Sequence, residues 1–292
     1  MGFESGFEEI LRRDEPLAPY TWFRLGGKAE YFAEPRNVEE LAKLVRRARD
    51  EQLPVRMLGG GSNLLIRSEV VPGVVIHLTH PAFSEIQVKD HRVIAGAGAK
   101  LGHVISSSVR EGLAGLETLV GIPGTIGGGL RGNAGGRSGD IGQWTSRATL
   151  MTRDGELLER AGDELVFAYR QSNLDELMIL SGEFKLEPDD PAALTKRMQK
   201  LWIVKKANQP LSHQSAGCIF KNPRGMSAGM LIDQAGLKGN RVGGAEVSDR
   251  HANFIIADPD ATSQNVLQLI DLIKERVAEK LGVELEMEIE IW

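Results

Sequence analysis

The chain has 292 residues, 41% of them hydrophobic and 26% charged, with a formal net charge of −5. That length can bury a sizeable core in one large or two modest domains, and that balance excludes a disordered chain. The negative charge, the low aromatic content (5%) and the lack of a Lys/Arg block argue against a nucleic-acid partner.

One cysteine, Cys218, rules out an intrachain disulfide and suits a reducing cytoplasm. The N-terminus MGFESGFEEILRRDEP is acidic, without the apolar core of a signal peptide, and Gly6 breaks the myristoylation pattern. No apolar run approaches the ~18 residues of a membrane span. The expectation is a cytoplasmic protein with no membrane partner.

In chain order, the first helix signal is NVEELAKLVRRARDEQ. Asn37 and Glu40 have capping spacing, and Leu41, Leu44, Val45 and Ala48 recur at helical period. Strand patterns follow at VRML, GVVIHLT and HRVIAGAG, a helix near LGHVISSSVREG, and further strands at ATLMTRDGELLER and MILSGEFKLE. At EPDDPAAL, Asp190 is a cap and Pro191 the first turn of a helix running to about Lys206. AGMLIDQAGLKG reads as a short helix stopped by Gly236, and ATSQNVLQLIDLIKERVAEKLG as a long amphipathic one. In the closing ELEMEIEIW, Leu285, Met287, Ile289 and Ile291 alternate with glutamates, which predicts a half-buried strand. The class is α+β.

Glycine is the compositional outlier, with 34 residues, crowded between Gly121 and Gly142. GGGSNLLI (Gly59–Ile66) follows a strand and offers bare main-chain N–H groups, which suits a pyrophosphate, but it lacks the Lys-Ser/Thr ending of a P-loop. A plain tight turn is the alternative. GIPGTIGGGLRGNAGG (Gly121–Gly136) is more specific. Ile122, Ile126 and Leu130 fit poorly in a free surface loop, and Asn133 adds an amide able to read a ligand oxygen. In VIAGAGAKLG the glycine spacing is one residue too long for a dinucleotide fingerprint, and no acidic residue follows a strand at the expected distance.

The six histidines and one cysteine show no metal-ligand spacing, so no metal is expected. His213, five residues before Cys218, makes a Cys/His nucleophilic pair conceivable, whereas a lone cysteine is often only buried filler. Arg170, in FAYRQS beside two aromatic residues, is either an anion ligand or a stacking partner. Nothing in the terminal alternation separates one glutamate from the others.

Taken together, TWFRLGGKAEYF, LGGGSNLLI, GLETLVGIPGTIGGGLRGNAG, YRQS, SAGCIFKNP, AGMLIDQAGLKGNRVGGAEVSDRHANFI and GVELEMEIEI resemble the UDP-N-acetylenolpyruvoylglucosamine reductase family, in family order from about residue 17 onward. The compact YRQS region resembles the shorter, type II branch. The resemblance implies a two-subdomain FAD-binding fold of the vanillyl-alcohol-oxidase type (residues 1–80 and 81–188), then an α+β substrate-binding domain (189–292) whose last strand can return to the flavin half. It implies FAD held by Gly59, Gly60, Gly61, Ser62, Asn63 and Leu64, and by Gly121, Ile122, Pro123, Gly124, Gly127, Gly128, Asn133, Ala134 and Gly135. NADPH is the implied hydride donor, an enolpyruvyl ether of a UDP-sugar the substrate, and a monomer the expected form.

The family's catalytic arginine falls on Arg170, its glutamate on Glu288, and its proton donor on Cys218, where the family usually has serine. A thiol protonates a carbanion only while it holds its proton, and Arg170 and Lys221 are expected to lower its pKa. Asn222, Lys238 and Lys206 match substrate-binding positions, with Lys205 nearly as good a match as Lys206. No segment matches the tyrosine loop that closes over the diphosphate in the longer branch. The competing readings are a cysteine-dependent hydrolase or transferase using Cys218 and His213, and a flavin-binding protein without activity.

Overall fold

The structure, a computed structural model, describes residues 2–136 and 138–292. The chain forms two compact units that are discontinuous in sequence. The first comprises residues 1–15, 29–60 and 72–203, the second 16–28, 61–71 and 204–292. Residues 16–28 and 61–71, expected with the first flavin subdomain, thus cluster with the C-terminal part. The cause is apolar burial, because Phe23 and Leu65 are wholly buried among Ile219, Phe220, Ile232 and Val266.

The first unit carries a five-stranded antiparallel sheet in the order 157–161, 145–151, 178–185, 92–96, 86–89. A four-stranded sheet runs 11–16, 28–33, 70–77, 55–58, its last pair parallel. Helix Val38–Asp50 buries Leu41, Ala42, Leu44, Val45 and Ala48, the face that its period predicts. Each large side chain so buried contributes about 1.5–3 kcal/mol of transfer free energy. Asn37 Oδ1 accepts from Glu40 N at 2.9 Å, whereas Glu40 reaches Arg36 rather than completing the box. Helix Leu101–Arg110 supplies Leu101, Val104, Ile105 and Val109 to the same core.

In the second unit, helices Ala228–Gln234 and Ser263–Leu281 pack on a three-stranded antiparallel sheet of 241–242, 245–247 and 255–257. The longer helix is capped by Thr262 Oγ1 accepting from Asn265 N and ends at Gly282, whose φ is +67°. Helix Pro191–Asn208 starts where the sequence places it, with Asp190 Oδ2 accepting from Ala193 N at 2.8 Å. It fully buries only Leu194 and leaves Trp202, Ile203 and Val204 exposed.

The terminal segment departs from the expected single strand. Only Glu290–Ile291 forms a strand, parallel to Leu64–Leu65, while Met287 forms an isolated antiparallel bridge with Phe220. The chain changes partner between these points, so the alternation breaks. Leu285 and Ile289 are buried, but Met287 is 37% exposed.

Candidate functional site

In the first unit the two glycine-rich loops meet main chain to main chain. A Cβ on Gly60 would stand 2.8 Å from Gly124 Cα, so glycine there serves the contact between the loops. Gly128 is the opposite case. A Cβ there would meet nothing nearer than Thr125 Oγ1 at 3.9 Å. Gly128 lies in helix Ile126–Arg131, where alanine is intrinsically the better residue. Packing within the chain does not ask for glycine at 128, but a ligand lying against the main chain would. On this observation the stretch fits FAD, with Gly128 among the residues that would hold it.

Asn133 differs from its expected role. It is 3% exposed with φ +43°, its Nδ2 donates to Ala168 O at 2.8 Å, and its Oδ1 accepts from Gly142 N at 3.0 Å. The amide fixes the loop instead of presenting itself to a ligand oxygen. Ala134 is likewise paired, its N–H with Gly129 O and its carbonyl with Ile141 N. Asn133 also ties the loop to the hairpin Phe167–Ser172, and Ser172 Oγ adds a bond to Arg131 O at 3.0 Å.

Arg170 is the second residue of the two-residue turn in that hairpin. Its φ is +59°, a left-handed conformation that turns usually give to Gly or Asn. The guanidinium lies 5.3 Å from the Tyr169 ring centroid, and Nη1 donates to Gly135 O at 2.8 Å. Stacking is therefore present, and the hydrogen bond holds the charged head beside the glycine loop.

In the second unit, Cys218 and Glu288 lie on adjacent, hydrogen-bonded segments. Glu288 N donates to Ile219 O at 2.8 Å, and Lys221 N to Glu286 O at 2.8 Å. Ile219 and Phe220 are buried at 0% and 1%, whereas Cys218 is partly exposed. Gly217, with φ +72°, turns the chain just before it. Glu288 is half-buried while Glu284, Glu286 and Glu290 are exposed, which separates it from the other three. Its carbonyl accepts from Asn63 Nδ2 at 3.0 Å, and Glu290 N donates to Asn63 O. Asn63 and Leu64, expected to hold the cofactor, thus also brace this terminal segment.

The basic residues separate. Lys221 forms an ion pair with Glu286 at 2.5 Å. Lys238 pairs with Asp233 at 2.8 Å. Lys206 is exposed on the last turn of its helix, without an ion pair among the described residues, and Lys205 is half-buried. Asn222 Oδ1 accepts from Ala228 N at 2.9 Å and so braces the start of helix Ala228–Gln234. His213 is exposed, its Nδ1 3.2 Å from Ser212 Oγ. No cluster of metal-ligating side chains occurs among the described residues.

Two buried polar residues escape sequence reasoning. Glu117, 1% exposed, accepts from Gly115 N at 2.5 Å and Arg197 Nη1 at 2.7 Å, fixing the turn before Gly121. Asn253, 2% exposed, binds the main chain next to Cys218. Glu117 meets a distant guanidinium and Asn253 distant backbone, for which no local spacing gives a signal.

The description "UDP-N-acetylenolpyruvoylglucosamine reductase, C-terminal domain" matches residues 209–292, and an FAD binding domain matches residues 29–160. A reductase of that name from Rhodopirellula baltica is 39% identical over 290 residues, covering 99% of this chain and 95% of its own. One from Symbiobacterium thermophilum is 43% identical, covering 97% and 92%. The crystal structure of the Thermus caldophilus UDP-N-acetylenolpyruvylglucosamine reductase superposes with a TM-score of 0.83 at 38% identity, over 97% of this chain and all of the other. Phl p 4.0202, a glucose dehydrogenase, matches at 18% identity with a TM-score of 0.52 over 63% of this chain and 42% of the other, a likeness of fold alone. By these matches the chain belongs to the UDP-N-acetylenolpyruvoylglucosamine reductase family, with an FAD binding domain followed by the family's C-terminal domain.

Proposed function

We propose that the chain is an FAD-dependent oxidoreductase that reduces UDP-N-acetylglucosamine enolpyruvate to UDP-N-acetylmuramate for peptidoglycan synthesis, with NADPH as hydride donor. Near full-length identity to reductases of this name carries the reading. FAD, which the glycine-rich stretches Gly59–Leu64 and Gly121–Gly135 would hold, would supply hydride transfer between NADPH and the vinyl CH₂ carbon of the substrate.

The protein's share is to stabilise and quench the charge that develops. As the C–H bond forms, the double-bond electron pair moves to the adjacent carbon and its carboxylate, giving an enolate. Arg170 faces the carboxylate, where a fixed guanidinium stabilises the growing charge. Cys218 gives its thiol proton to the enolate carbon, and the thiolate is reprotonated from water. Glu288 shares a proton with the enolate.

Gly59–Leu64, Gly121–Gly124, Gly127, Gly128 and Asn133–Gly135 form the flavin site, the last three through loop shape. Residues 1–188, apart from 16–28 and 61–71, which cluster with the C-terminal part, make up its two subdomains, and 189–292 most of the substrate domain. Lys206 and Asn222 receive the diphosphate, and Lys238 is a further substrate-binding residue. The enzyme acts as a cytoplasmic monomer on small molecules; no described helix is long and apolar enough to cross a membrane.

The test is an anaerobic stopped-flow trace of pre-reduced protein mixed with the enolpyruvyl sugar nucleotide. Rapid flavin reoxidation is expected. Reoxidation no faster than in buffer refutes the reading, and a colourless protein that binds no flavin revives the cysteine-dependent hydrolase.

A further inference from the structure

Ile219 and Phe220 lie beside the terminal segment on one side only, and Asn253 completes the pairing on the other. Asn253 Oδ1 accepts from Phe220 N at 2.9 Å, and Nδ2 donates to Phe220 O at 2.8 Å. Its main-chain oxygen accepts from Ile219 N at 2.9 Å. A carboxamide carries the same donor and acceptor as a peptide unit, so one side chain does for Phe220 what a neighbouring strand would do. Both bonds are buried, where an unmet donor or acceptor is costly. Asn253 is itself held from behind, its N–H directed to His251 Nδ1 at 3.3 Å.

The opposite edge is closed by the bonds from Glu288 N to Ile219 O and from Lys221 N to Glu286 O. The backbone immediately after Cys218 is therefore clamped between Asn253 and the segment that carries Glu288. Before it, Gly217 turns the chain with φ +72°.

We propose that Asn253 is a positioning residue for the proton donor: its side-chain clamp on Phe220 holds the Cys218 thiol in the place, relative to Glu288, from which it protonates the substrate. This rests on the reductase reading for its chemistry, but the clamp itself can be tested without it. Asn253 touches no reacting atom and acts through the main chain of Ile219 and Phe220.

The single cysteine makes the test clean, because any thiol label reports on Cys218 alone. The variants are Asn253→Ser, which removes the amide, and Asn253→Asp, which keeps its shape. An ionised aspartate turns an acceptor toward Phe220 O, whereas a protonated one donates an O–H there and rebuilds the pair.

The first readout is the iodoacetamide alkylation rate of Cys218 in folded, flavin-loaded protein, as a ratio to wild type at the same pH. Asn253→Ser is expected to raise it about tenfold through local opening. Asn253→Asp is expected to raise it similarly at about pH 8 and to return toward the wild-type rate at about pH 5.5. The second readout separates the half-reactions. Reduction of flavin by NADPH keeps its wild-type rate, and reoxidation by the enolpyruvyl sugar nucleotide slows about tenfold or more.

A purely structural Asn253 would lower the melting temperature and leave both the native-state alkylation ratio and the half-reaction split unmoved. Ratios near one in both variants overturn the clamp. Faster alkylation with unchanged reoxidation overturns the positioning role. Cys218→Ala, run beside it, then shows whether the reductase reading of the thiol has failed as well, since that variant would also reoxidise at the wild-type rate.

Discussion

The amide of Glu288 donates to the carbonyl of Ile219, the residue after Cys218, at 2.8 Å. One backbone hydrogen bond thus joins Glu288 to the residue next to Cys218. A displacement of about 1 Å at such a site can cost 10²-fold in rate. Removing the acid itself costs more. In Cys218→Ala, reoxidation of reduced flavin by substrate is expected to slow about 10²–10⁴-fold, while reduction by NADPH is unchanged. Stopped-flow absorbance at the flavin band reads both steps. Equal reoxidation in variant and wild type would make the thiol a bystander.

The same thiol predicts an alkaline limb. An acid works only when protonated, so the rate falls as pH rises through its pKa, ordinarily about 8.5 for cysteine. In Cys218→Ser the donor is an alcohol that keeps its proton across the accessible range, so the plateau should extend upward in pH. The check is the pH profile of the substrate half-reaction, and coincident profiles for the two proteins would sink this assignment.

Arg170 sits at a turn position whose backbone suits glycine, and that defines a second test. The left-handed φ of +59° costs about 1–2 kcal/mol for a residue with a Cβ. Arg170→Gly relieves that strain but forfeits the bond to Gly135 O, worth about 1.5–3 kcal/mol gross for a charged donor and less at a half-buried turn. Stability should therefore stay within about 1 kcal/mol of wild type, as denaturant unfolding would show. Turnover should fall at least about 10²-fold, because no other guanidinium is assigned to the enolate. A large loss of stability would instead assign Arg170 to the fold.

The amphipathic helices were readable in the sequence because burial repeats along one face, as in Leu41, Leu44, Val45 and Ala48. Caps at Asn37, Asp190 and Thr262 were readable because donor and acceptor are three residues apart. The terminal segment was misread as one strand because its two halves bind different partners, Phe220 and Leu64–Leu65, which alternation cannot express. Glu288 stood out only once burial separated it from its exposed neighbours. Glu117 and Asn253 stayed hidden because each satisfies main chain or charge far away in sequence. Asn133 was visible as a residue, but its direction was not, since its amide turns to Ala168 and Gly142.

The glycine loops give a paired prediction that separates folding from cofactor binding. In Gly60→Ala the new methyl meets the Gly124 backbone at 2.8 Å, so the loops must part, and stability should fall by about 1–3 kcal/mol. In Gly128→Ala the methyl has room, and helix propensity favours it by about 0.5–1 kcal/mol, so the flavin-free protein should be as stable as wild type or slightly more. Its affinity for FAD should nonetheless drop, since the methyl occupies the space left for the ligand. Thermal unfolding of flavin-free protein beside fluorescence titration with FAD reads both; unaltered FAD affinity in Gly128→Ala would remove that residue from the flavin site.

His77 gives the acid side of the stability profile. Burial holds its pKa below the ordinary 6.5, outweighing the opposing pull of the Glu34 carboxylate, whose oxygen lies 3.3 Å from Nδ1. The folded state thus prefers the neutral ring. Above about pH 6.5 the ring is neutral whether the chain is folded or not, and its contribution is fully present. Below that, the unfolded chain takes up the proton first, so stability is lost as pH falls toward the depressed folded value. The expected outcome is a melting temperature that declines from about pH 6.5 downward in wild type and declines less in His77→Gln. Differential scanning calorimetry of both proteins across that window is the check, and parallel curves would show that burial of His77 does not govern its protonation.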